Sequence, residues 1–242
     1  MHSIIQNFDL LATNAMRHDA LKIAEAGYEA IRTDAVIKSK VRVSGDELHI
    51  GESVYPLVGR GVYFVGVGKC AIAAARAIGE LLGDTLTGGV ALDVSAGEQS
   101  GHTNKKIEVY IGTHPLPSEV NVRATKRIME FLAGRIESDL VIMVVSGGGS
   151  TLLCLPEASM TCLDEGTLFT ELTERGASIQ EINVVRKHIS RARGGALAVA
   201  AYPAEVVSLI ASDVPDNDIG LIASGPTVLD ASTIDDAKTI LA

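Results

Sequence analysis

Five short segments hold the residues whose types and spacing could do chemistry, and each follows an aliphatic run. They are Gly66-Val67-Gly68-Lys69, Asp93 with Ser95, Gly112–Pro117 with His114, Ser146-Gly147-Gly148-Gly149-Ser150, and Ser212-Asp213. Three glycines between serines allow backbone N–H groups to converge on one anion, a carboxylate or a phosphate, with hydroxyls as further donors. Lys69 at the mouth of a helix would set an ammonium beside that anion. Asn183, Arg186 and Lys187 fall within about one helical turn and can present donors on one face; His188 and Arg191 extend this basic cluster. Asp213 and Asp218 could hold Mg²⁺, a hard cation that takes one or two carboxylates and keeps its waters. A carboxylate there could equally take a proton from an attacking hydroxyl. Gly66-x-Gly68-x-x-Ala71 opens a competing reading, the dinucleotide fingerprint, with Asp93 as the ribose partner.

These residues need a scaffold that brings strand ends together. The aliphatic runs Val62–Val65, Val90–Val94, Ile107–Ile111, Leu140–Val145 and Val206–Ala211 lack polar alternation, as strands buried on both faces do. A parallel sheet would gather all five segments at its carboxyl edge, where open α/β sheets bind ligands. Helices are expected from Ser118 to Leu132, over Leu163–Arg175 with Gly176 behind it, and from a Ser178–Glu181 capping box. Another is expected to open at Ser232-Thr233-Ile234-Asp235. Ahead of the sheet, a helix from about Asn7 to Ile31 and a Val41–Val43/Leu48–Ile50 hairpin are expected. The fold class is α/β, a Rossmann-like three-layer sandwich with a mostly parallel sheet plus an N-terminal helix and β-hairpin. The reading treats residues 1–242 as one domain.

Composition narrows the partners. The 242 residues carry 21 Lys and Arg against 30 Asp and Glu, a net charge of −9, with 4% aromatic residues and no Trp. An acidic chain poor in aromatics suits neither nucleic acid nor an anionic membrane surface. Mean hydropathy is +0.26, yet no apolar run approaches the roughly 18 residues that span a bilayer. Three cysteines without a C-x-x-C pair fit neither a disulfide framework nor a zinc site, and a cytoplasmic setting is expected.

Taken in order, Gly68-Lys69, Thr113–Pro117, Ser146–Ser150, Asn183-Val-Val-Arg186-Lys187-His188, Gly194-Gly195, Ser212-Asp213-Val214 and Ile222–Thr227 resemble the N-terminal domain of the type II glycerate 2-kinases. Some members of that family bear the name hydroxypyruvate reductase. The resemblance implies ATP- and Mg²⁺-dependent phosphorylation of D-glycerate at its 2-hydroxyl. It also implies a second α/β domain, C-terminal in the same enzyme, that closes the active-site cleft; on that reading the 242 residues are one part of a larger enzyme. Lys69 and Asp213 become the expected catalytic residues. Ser146, Gly147, Gly148, Gly149, Ser150, Arg186, Lys187 and His114 become the acceptor or anion contacts. Asn183, Ser224, Gly225 and Thr227 become nucleotide contacts, and Asp213 with Asp218 the metal ligands. The chain departs from the family pattern at Asp216-Asn217-Asp218 and at Arg193, where lysine is common and donor geometry differs. A nicotinamide-dependent reductase and an anion-binding domain inactive without its partner remain the alternatives.

Overall fold

A computed structural model describes residues 4–95, 104–212, 214 and 217–242. Two compact units divide the chain, 1–56 and 57–242.

The first unit carries α1 (Phe8–Leu11), α2 (Ala15–Ala30) and α3 (Thr33–Lys40), then β1 (Val41–Ser44), β2 (Glu47–Ile50) and β3 (Ser53–Pro56). The single helix expected over Asn7–Ile31 is interrupted, because the Asn14 side chain accepts from Arg17 N–H and starts a new helix there. The hairpin is present with Val43 opposite Leu48, and β3 adds a third antiparallel strand.

The second unit is built on β4 (Val62–Val67), β5 (Leu86–Asp93), β6 (Ile107–Ile111), β7 (Leu140–Val145) and β8 (Glu205–Ile210). All neighbours pair in parallel, in the order β6-β5-β4-β7-β8. Helices lie on both sides of this sheet; those of this unit begin with α4 (Ala71–Leu82), α5 (Glu119–Leu132), α6 (Gly149–Leu152), α7 (Cys162–Glu174), α8 (Ile179–His188) and α9 (Ala196–Ala201). Every residue of β7 is buried, and Val65, Val90, Leu92, Ile128 and Met143 join one aliphatic core. The order starts at β4 and winds outward both ways, which puts the topological switch point between β4 and β7.

Helix ends follow local chemistry. Ser178 and Glu181 form the expected capping box at α8. Matching boxes at Thr161/Asp164 and Thr233/Asp236 start α7 and α10 (Ile234–Leu241), the latter one residue beyond the expected opening at Ser232. Ser118 sits at the N-cap of α5, but its hydroxyl turns to Thr113 and Asn121 instead of capping the helix.

Candidate anion site at the switch point

The loops leaving β4 and β7 are stitched together at the switch point. Lys69 N–H donates to Gly147 O at 3.0 Å, and Cys70 N–H to Ser146 Oγ at 3.3 Å. Gly68 has φ +117°, and a Cβ there would fall 2.2 Å from Ser146 Oγ and 2.6 Å from Ser146 O. Only glycine permits that approach.

The same contacts answer the dinucleotide reading. Ala71 N–H goes to Gly68 O, and Ile72 N–H to Asp93 Oδ2 at 3.0 Å. Asp93 is buried, and its other oxygen accepts from Val94 N–H at 2.7 Å. The first two donors of α4, which would help hold a pyrophosphate in a Rossmann enzyme, are thus spent on the protein. So is the carboxylate that would read the ribose. The fingerprint spacing arises from close packing of β4, α4 and β7, and the reductase alternative is not favoured.

The Gly147–Ser150 turn keeps part of its donors, Gly149 N–H turning back to Ser146 O at 3.3 Å. Among the described residues the N–H groups of Gly147 and Gly148 find no acceptor. Lys69 and His114 flank this turn, both exposed: a Cβ on Gly148 would lie 3.2 Å from Lys69 Cε and 3.5 Å from His114 Cδ2. Partial desolvation and then the nearby Lys69 charge hold the His114 imidazole below its ordinary range, which favours its neutral form.

Asn121, a residue not singled out in the sequence, joins the His114 loop to the glycine turn. It is fully buried on α5. Its Nδ2 donates to Thr113 O at 2.9 Å and Thr151 O at 3.1 Å, while its Oδ1 accepts from Thr113 N–H at 2.8 Å. Its signal in the sequence is an asparagine on the apolar face of an amphipathic helix, between Ser118 and Val122.

On the far side, α8 braces the turn. Asn183 Oδ1 accepts from the Ser224 hydroxyl, and Ser224 Oγ lies 2.9 Å from Ser150 Oγ. Ser224 is fully buried, within a run of left-handed residues: Ala223 (φ +53°), Ser224 (φ +59°) and Gly225 (φ +58°). Two non-glycine residues in that region cost roughly 1–2 kcal/mol each. Hydrogen bonds from Gly194 N–H to Ser224 O and from Gly195 N–H to Gly225 O hold the run in place. The expected nucleotide contacts Asn183 and Ser224 therefore face each other, with Gly225 buried beside them and Thr227 half-buried at the end of the run.

The basic cluster divides by partner. Lys187 Nζ pairs with Asp230 Oδ1 at 3.2 Å, both side chains being largely buried. His188 Nδ1 lies 2.9 Å from Val184 O on its own helix. Arg193 is buried against Glu165 and Ser150 O. Arg186 stands three residues after Asn183 on the same face of α8, is 6% exposed, and makes no hydrogen bond or ion pair among the described residues. Its guanidinium lies 4.0 Å from the Phe169 ring centroid. Burial, followed by the Arg193 charge, pulls its pKa down to about 10, which leaves it charged at neutral pH.

The expected metal ligands are less gathered. Asp213 lies outside the described residues. Asp218 is exposed, and its Oδ1 accepts from Gly220 N–H at 2.9 Å, leaving one oxygen outward. Among the described residues no three His, Cys, Asp or Glu come together. Asp218 offers one exposed carboxylate, the hard oxygen donor type that Mg²⁺ takes. Among those residues no helix is long and apolar enough to cross a membrane.

Fold and geometry together define a Rossmann-like α/β domain with free backbone donors at its switch point. Residues 19–242 match the family described as "Domain of unknown function (DUF4147)", and the chain belongs to it. It is similar to the D-glycerate 2-kinase of Thermotoga maritima, 36% identical over 225 residues that cover 92% of this chain and 50% of the relative. Human glycerate kinase is 35% identical over 246 residues, covering 96% and 47%. A hydroxypyruvate reductase name occurs on an Agrobacterium vitis relative, 41% identical over 180 residues, covering 74% of this chain and 40% of that one. Among solved structures, a Pyrococcus horikoshii protein superposes with TM-score 0.83 at 35% identity, covering 95% of this chain and 51% of the other. The Thermotoga maritima glycerate kinase superposes with TM-score 0.79 at 35% identity, covering 92% and 50%. The chain spans about half the length of the curated relatives it matches.

Proposed function

We propose that this chain supplies the N-terminal half of a glycerate 2-kinase active site, transferring the γ-phosphoryl group of ATP to the 2-hydroxyl of D-glycerate. In such a transfer the hydroxyl oxygen forms a bond to phosphorus as the bond to the leaving ADP oxygen breaks, and the hydroxyl proton passes to a base. Positioning and charge neutralisation supply most of the catalysis. The free N–H groups of Gly147 and Gly148 would take anionic oxygens, and Lys69 would neutralise charge on the transferred group. Arg186 would complete the clamp from α8, and neutral His114 would contact the acceptor. Asp213 is assigned to orienting the hydroxyl or binding Mg²⁺, with Asp218 as its helper. A magnesium ion held there would supply neutralising charge for the phosphates. The other half of the cleft is assigned to a partner α/β domain, and a cytoplasmic setting accords with this chemistry.

One observation carries this reading: Arg186 is a buried guanidinium with no carboxylate and no hydrogen-bond acceptor among the described residues, on the helix whose Asn183 is linked through Ser224 to Ser150 of a turn with two free N–H groups. Charge buried without a partner is costly, and an anionic ligand offsets the cost. Calorimetric titration of the chain with ATP and Mg²⁺, D-glycerate and NADH tests the reading. ATP or glycerate binding is expected, weakened roughly tenfold or more in Arg186→Met and Lys69→Met. Arg186→Met should also match or exceed wild-type Tm, since an apolar side chain of similar size replaces an unpaired buried charge. Binding of NADH alone would overturn the proposal.

A further inference from the structure

Beneath the glycine turn the buried charges do not balance. Arg193 and Glu165 have side chains 0% and 2% exposed and form an ion pair. Arg186, 6% exposed, adds a second cation close enough for Arg193 to depress its pKa. The one carboxylate shown at this cluster is committed to Arg193. Its other oxygen accepts from the Cys154 thiol at 3.4 Å. That commitment leaves Arg186 without a counter-ion.

What Arg193 does with the pairing is specific. Its Nε and one terminal nitrogen both donate to Ser150 O, the former at 3.0 Å, and that same terminal nitrogen reaches Glu165. A planar guanidinium gripping one carbonyl with two donors fixes the direction of that peptide plane far better than a single bond does. Ser150 closes the turn whose Gly147 and Gly148 N–H groups are free. It is also the residue whose hydroxyl meets Ser224. From Glu165 on α7, through Arg193, to Ser150 runs one buried chain of charge-assisted contacts ending at the donors of the anion site. Arg193 itself is sealed from solvent.

We propose that Arg193, held by Glu165, is a positioning residue for the anion site: it sets the direction of the Gly147–Ser150 donors without touching the ligand, and Glu165 thereby keeps Arg186 free to bind. This rests on the anion-site reading above, and two readouts keep the two apart. The first is the Kd for ATP with Mg²⁺ on the whole chain, measured well below the Tm of each variant. The second is amide hydrogen exchange without ligand. Arg193→Met should weaken ATP roughly tenfold, the scale of losing hydrogen bonds made by a charged donor. It should also speed exchange at Gly147–Ser150 while the β4 and β7 amides keep wild-type protection. Arg193→Lys retains the charge but not the fork, so it should fold, keep Glu165 paired and recover only part of the affinity. It carries the test where Arg193→Met does not fold. Wild-type ATP affinity in these variants, or exchange that rises uniformly or not at all, overturns the positioning role. A wild-type chain that binds no ATP while Arg193→Met still loosens the turn would remove the ligand reading and leave the positioning role standing.

Discussion

Asn121→Asp changes one atom group at the junction of two site loops, and its cost can be worked from the hydrogen bonds. In the wild type, Nδ2 donates to both Thr113 O and Thr151 O from a fully buried position. An ionised Asp would turn a bare oxygen toward two carbonyl oxygens, so the folded state favours the protonated acid. The acid has one O–H for two carbonyls, and the orphaned carbonyl costs about 1–3 kcal/mol. Keeping an Asp protonated above its ordinary pKa near 3.9 costs a further ~1.4 kcal/mol per pH unit, about 4 kcal/mol by pH 7. The sign follows from linkage. The folded-state pKa is raised above the unfolded value, so the deficit is smallest below about pH 4 and grows as pH rises toward the folded value. Urea denaturation of variant and wild type at pH 5, 6 and 7 reads this directly, as a difference widening by ~1.4 kcal/mol per unit. Asn121→Ala, which introduces no titrating group, should show a loss that is flat across the same range. A flat deficit in Asn121→Asp would refute the claim that Nδ2 faces two carbonyls in a closed site.

Three further variants separate packing from binding. Gly68→Ala should lower Tm and weaken ATP together, by about 2 kcal/mol or more in stability, because its Cβ meets Ser146 Oγ at 2.2 Å and backbone at 2.6 Å. Gly176→Ala, also at positive φ (+82°) but with no atom within 4 Å of its Cβ, should cost only about 1 kcal/mol, and equal losses would remove the close-approach argument. Lys187→Met should destabilise the chain by about 1–3 kcal/mol at neutral pH by stranding the Asp230 carboxylate. Burial pushes that carboxyl upward, but hydrogen bonds from Ser232 and Lys187 outweigh it and hold the group below its ordinary range. The pair's stabilisation is therefore present at neutral pH and lost as pH falls through the folded value, so variant and wild type should converge in acid. A Lys187→Met protein of wild-type stability and weakened ATP binding would return Lys187 to the anion clamp.

What could be read from the sequence was whatever is decided within a few residues. Largely aliphatic runs made the five strands legible, although burial on both faces holds for the inner strands and not for the edge strand β6, which carries Glu108 and is mostly exposed. A Ser-x-x-Glu spacing made the start of α8 legible, since a capping box closes within four residues. The loops after those strands were bound to converge once the strands were parallel, which is why the glycine turn, Lys69 and His114 were found together. Partner choice was not legible. Lys187 to Asp230 spans 43 residues, Asn183 to Ser224 spans 41 and Arg193 to Glu165 spans 28. The residues Arg186, Lys187 and Arg193 look alike in the chain, and each carries the same formal charge. Only the fold decided that one pairs with Asp230, one is locked to a buried carboxylate, and one has no ion-pair partner among the described residues. The same holds for Gly66-x-Gly68-x-x-Ala71, whose donors were free on paper and are consumed by Ser146, Gly147 and Asp93 in space. Sequence fixes which groups can form a bond; burial and neighbours at long separation fix which of them still have a bond to give.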